Sequence, residues 1–66
     1  MKSYRIYILG QDGRLKLGEA FEAAADDDAI ARAETAAVKG EAAELWEGGR
    51  MVGVVSKDGV FRAGGV

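Results

Sequence analysis

Residues 26–39 read DDDAIARAETAAVK and are followed by Gly40, and this is the stretch of the chain with helical spacing. Asp26 is placed to cap a helix start. Asp27 and Asp28 set negative charge against the positive end of the helix dipole, while Lys39 and Gly40 supply a cationic last turn and a glycine just past the end. Projected at about 100° per residue, Ala29, Ile30, Ala33, Ala36 and Ala37 share one arc, opposite Asp28, Arg32, Thr35 and Lys39. The alanine arc should lie close against a sheet, and the strands must then supply most of the core volume.

Working outward toward the start of the chain, residues 3–9 alternate Tyr4, Ile6 and Ile8 with Arg5, Tyr7 and Leu9, the period-two pattern of a strand. Asp12-Gly13 marks a turn, and residues 14–23 return as a second strand. A two-residue loop sets Ile8 opposite Leu17 and Tyr4 opposite Phe21. A four-residue loop from Gly10 shifts the partners by two and keeps the same faces together. Gly18 marks an expected bulge or close approach, and Glu19 interrupts the apolar face.

Toward the end of the chain, residues 42–47 and 50–56 flank Gly48-Gly49, whose freedom at positive φ suits a type I′ hairpin turn. Counting outward pairs Glu47 with Arg50, Trp46 with Met51, Leu45 with Val52 and Ala43 with Val54. Ala43, Leu45, Val52 and Val54 then belong to the helix side, with Glu44, Trp46, Met51, Gly53 and Val55 on the other. Asp58-Gly59 allows residues 60–62 to fold back as a short fifth strand before a frayed tail at residues 63–66. The expected fold is α+β: one domain over residues 1–66, a single antiparallel sheet of four or five strands in the order ββαββ(β), and one helix on one face. A right-handed crossover gives the sheet order 2-1-3-4.

Composition narrows the chemistry. The chain has no histidine and no cysteine, which removes imidazole bases, thiolate nucleophiles, disulfides and the usual zinc ligand sets. Asp26, Asp27 and Asp28 lack the alternating loop of a calcium site, and the glycines form neither a phosphate loop nor a dinucleotide fingerprint. No hydroxyl of Ser3, Thr35 or Ser56 has a candidate base beside it. No catalytic, metal or cofactor site is therefore expected. A net charge of −2 gives no strong field for nucleic acid or lipid. The apolar runs are too short for a membrane span or a secretion signal, so the expected compartment is the cytoplasm.

One feature points to a partner. With the lone helix on one side, Tyr7, Leu9, Trp46, Met51 and Val55 are left as an apolar patch on the far face, suited to burial against a second subunit or another protein. The alternatives are that Phe61 folds over the patch, or that the faces of the second hairpin are reversed. The same aromatic face is the only platform for a nucleic-acid-binding reading, opposed by Glu44 and Glu47, and a small-molecule site would need to form between subunits.

The segments Tyr4-Arg5-x-Tyr7, Asp12-Gly13-Arg14, Phe21-x-Ala23, Asp26-Asp27-Asp28-Ala29-Ile30 and Glu44-Leu45-Trp46-x-Gly48-x-Arg50 together resemble short stand-alone bacterial proteins of unknown function. That resemblance implies a free-standing ββαββ domain and carries over no activity, cofactor or binding residue.

Overall fold

The computed structural model describes residues 1–36 and 40–64. Its elements are β1 (Lys2–Leu9), β2 (Leu15–Ala23), α1 (Asp26–Ala36), β3 (Ala42–Glu47), β4 (Arg50–Val55) and β5 (Phe61–Ala63). They form one antiparallel five-stranded sheet in the order β2-β1-β3-β4-β5, with α1 packed on one face. The expected α+β class, strand order and fifth strand are all present. Pairing runs beyond the expected limit, since Ala63 belongs to β5 and the Gly64 amide donates to the Val52 carbonyl at 2.8 Å. Of the predicted helix features, Ala37 and Lys39 lie outside the described residues.

The core sits between α1 and the sheet. Tyr4 and Ile6 of β1, Ala43 and Leu45 of β3, and Val52 and Val55 of β4 bury themselves under Ala29 and Ala33 of the helix, with Ala23 closing one side. Alanine on the helix side lets the backbone approach the sheet, while the tyrosine, isoleucine and leucine of the central strands fill the volume between.

Both Asp-Gly turns adopt the same three-residue loop. In Gly10–Arg14, the Gly13 amide donates to the Gly10 carbonyl at 3.0 Å, the Gly10 amide donates to the Arg14 carbonyl at 2.9 Å, and Gly13 has φ 80°. Ser56–Val60 repeats the arrangement at 2.9 and 2.9 Å, with Gly59 at φ 84°. This is a turn closed by a left-handed glycine, a conformation that costs a β-carbon-bearing residue energy. The Gly48-Gly49 turn departs from expectation, because only Gly48 takes a positive φ, 58°. That is the φ pattern of a type II′ rather than a type I′ turn.

Two one-residue irregularities decide which side chains share a face. In β1·β2 the pairing runs Tyr4 with Phe21 and Ile6 with Glu19, then skips Gly18 and resumes with Tyr7 opposite Leu17 and Leu9 opposite Leu15. The odd-numbered loop moves Leu15 and Leu17 off the helix side, and the bulge at Gly18 restores Phe21 to it. The expected pairing of Ile8 with Leu17 is thereby corrected. In β3·β4, Trp46 pairs with Met51 as expected, but Val52 is the extra residue, so Leu45 pairs with Gly53, Glu44 with Val54 and Ala43 with Val55. Val55 is therefore a core residue, 0% exposed, rather than a member of the far patch, and Val54 takes its place there.

The helix is tied to the sheet by polar contacts at both flanks. Asp26 does not serve as the expected cap; its carboxylate accepts the Tyr4 hydroxyl at 2.7 Å and the Arg50 guanidinium at 3.0 and 3.2 Å. Arg50 also binds Glu47, at 2.6 Å. On the other flank Arg32 holds Glu19 through two hydrogen bonds of 2.8 and 3.1 Å and lies 5.1 Å from the ring centre of Phe21. Glu19, which interrupts the apolar pattern of β2, is thus the anchor for Arg32. The Phe21 ring in turn stacks on Tyr4, with centroids 5.7 Å apart and planes 18° from parallel.

Candidate interaction face

The face of the sheet opposite α1 is assembled by the pairings just described, because residues directly opposite on neighbouring antiparallel strands project to the same side. One row runs Leu17, Tyr7, Glu44, Val54 and Arg62 from β2 to β5. The next runs Ala20, Arg5, Trp46 and Met51, and a third joins Leu15, Leu9 and Ala42. Of the residues expected in the far patch, Tyr7, Leu9, Trp46 and Met51 share this face and Val55 does not.

Sequence reasoning missed Leu15, Leu17 and Val54. Leu15 and Leu17 are 48% and 57% exposed, the two large apolar side chains of β2 that stand open to water. Their signal was the spacing of Gly10 and Asp12-Gly13, which fits a three-residue loop and so changes the parity of β2. Phe61 does not cover the patch. It pairs with Val55 and packs against the core on the helix side, where its ring lies over Gly53.

A shallow depression of about 270 Å³ opens on this face between Tyr7, Leu15, Glu44, Trp46 and Gly48. The Trp46 indole Nε1 donates to Glu44 Oε1 at 3.0 Å, which fixes the carboxylate beside the ring. Glu44 and Glu47 lie on opposite faces, since Glu44 shares a row with Tyr7 and Glu47 is paired with Arg50 toward the helix side. They do not form a carboxylate pair.

Among the described residues, the ionisable groups with displaced pKa values all belong to the helix side. Burial, then the hydrogen bond to Asp26, pushes the Tyr4 phenol up to about 12. The Tyr4 hydroxyl, followed by Arg50, holds Asp26 below the usual carboxylate value, and Arg32 does the same for Glu19. These shifts follow from structural contacts that fasten α1 to β1, β2 and β4. Among the described residues no helix is long and apolar enough to cross a membrane. Comparison with protein families, with curated proteins and with solved structures finds no match to this chain.

Proposed function

We propose that this chain is a non-enzymatic interaction module of the cytoplasm that works through the helix-free face of its sheet and pairs there with a second copy of itself. The observation that carries this reading is the gathering of Tyr7, Leu9, Leu15, Leu17, Trp46, Met51 and Val54 on one face while the helix and Phe61 pack on the other. Contiguous apolar surface of this kind on a small protein is a contact surface rather than a resting state. A domain near this length hides only about 60% of its unfolded surface on folding, so association adds burial the fold alone lacks.

The edges of the sheet favour face packing over strand addition. β2 is interrupted at Gly18 and carries Lys16, Glu19 and Glu22, while β5 has only 3 residues. Bulged, charged or short edges resist pairing with another chain. A five-stranded face covers on the order of 500 Å² per copy from strand spacing and rise, at the low end for specific interfaces. The association is accordingly reversible and concentration-dependent.

Sedimentation over a dilution series tests the reading. The expected result is a mass that rises from one chain to two with concentration, and a Trp46→Glu variant that keeps its circular dichroism and stays single. A wild-type chain that sediments as a monomer throughout contradicts it.

A further inference from the structure

We infer that the depression beside Trp46 receives the Arg5 guanidinium of a second copy, an inference that rests on the self-association proposed above. The depression sets two aromatic rings, Tyr7 and Trp46, next to the Glu44 carboxylate. Glu44 spends one oxygen on the Trp46 indole and keeps the other. An aromatic wall with a fixed carboxylate selects a cation, and a planar guanidinium matches both the ring face and the carboxylate.

Arg5 is the cation placed to fill it. It is exposed, it stands opposite Trp46 in the β1·β3 register, and among the described residues it holds no hydrogen bond or ion pair through its side chain. Arg32 and Arg50, on the helix side, are by contrast each engaged with carboxylates of their own chain.

Two-fold symmetry brings Arg5 to the depression. Face-to-face sheets keep their strands roughly aligned, and a dimer of identical faces has its axis in the plane between them. An axis along the strands, between β1 and β3, lays each β1 residue over its own cross-strand partner in the other copy: Arg5 over Trp46 and Tyr7 over Glu44. An axis across the strands, midway between those two rows, lays Arg5 over Tyr7 and Trp46 over Glu44. Both arrangements put Arg5 at the depression, once from each copy. An axis running through either row would instead set Arg5 on Arg5 or Glu44 on Glu44, and such like-charge contacts oppose association.

The test uses full-length wild type, Arg5→Glu and Glu44→Arg, each checked for folding by circular dichroism and followed by analytical ultracentrifugation. Wild type is expected to dimerise, less tightly as salt rises. Each variant alone should associate about tenfold or more weakly. An equal mixture of the two should recover dimers, because both contacts then join unlike charges. A variant that dimerises like wild type, a mixture that stays monomeric, or a wild-type dimer indifferent to salt overturns the Arg5 assignment and leaves the face reading standing. A wild-type chain that never dimerises removes both. Should either charge reversal fail to fold, Arg5→Gln replaces it, with a flattened salt dependence expected and an unchanged one contradicting the assignment.

Discussion

The two faces of this sheet are both apolar and are built for different ends. The helix side joins small residues to a few large ones, with Ala29, Ala33, Ala43, Ile6 and Leu45 all at 0% exposure. The far side carries larger apolar groups that remain partly in water, Leu15, Leu17, Trp46 and Met51 among them. Polar contacts separate the faces as well. Tyr4, Glu19, Asp26, Arg32, Glu47 and Arg50 bind one another around the helix, whereas on the far side the one side-chain hydrogen bond among the described residues joins Trp46 to Glu44. Apolarity alone therefore does not mark a core: one face is closed by its own chain, and the other stays partly in water.

The largest effect is expected from cutting into the closed face. Leu45→Ala leaves a cavity at the centre of the sheet and is expected to cost about 2–5 kcal/mol, read by denaturant titration. In a small domain whose whole stability is of the order of 5–15 kcal/mol, that is a large share of the total, and the denaturant midpoint should fall accordingly. Gly53→Val comes next. A β-carbon at Gly53 collides with the Phe61 ring and the Arg62 carbonyl, so the variant must displace β5, with an expected loss of about 1–3 kcal/mol.

Acid and alkali attack the same joint of the closed face from opposite directions. Asp26 is held below its ordinary value by the Tyr4 hydroxyl and then Arg50, so its stabilising contribution is present above the unfolded value and lost as pH falls through the folded one. Tyr4 is pushed up to about 12 by burial and then Asp26, so its contribution is present below the ordinary phenol value and lost as pH rises through the folded one. Melting temperature measured against pH should fall at both ends, and Tyr4→Phe should flatten the alkaline limb. An unchanged alkaline limb in that variant would separate Tyr4 from the joint.

The smallest effect on folding is expected on the open face. Leu17→Ser, at a side chain already 57% exposed, should change unfolding free energy by no more than about 0.5 kcal/mol while weakening association. A large loss of stability in the isolated chain would show that the two faces are less distinct than their packing implies.

Much of the closed face was legible in the amino-acid sequence. The alanine arc of 26–39 and the alternation of Tyr4, Ile6 and Ile8 describe a helix over a sheet by periodicity alone, and neither depends on register. The open face was legible only in its centre, at Tyr7, Leu9, Trp46 and Met51. Leu15 and Leu17 arrived there through an odd-length loop, and Val54 exchanged places with Val55 through the extra residue at Val52. Strand faces follow a period of two, so a single inserted residue reverses every assignment beyond it. Gly18 signals such an insertion by its lack of a side chain, since a β-carbon there would approach Ile8 Cγ1 at 2.8 Å. Val52 carries no comparable local signal. Asp26 was misread for another reason: an aspartate at a helix start suits a cap, and only the fold reveals Tyr4 and Arg50 as stronger claimants.

Trp46 is the single tryptophan of the chain and stands on the open face, so its fluorescence reports that face directly. Acrylamide quenching of Trp46 across a protein dilution series should show the ring becoming steadily less accessible as concentration rises, with the change moved to about tenfold higher concentration or beyond in Arg5→Glu. Quenching that stays the same at every concentration, in a chain that remains folded, would contradict the account.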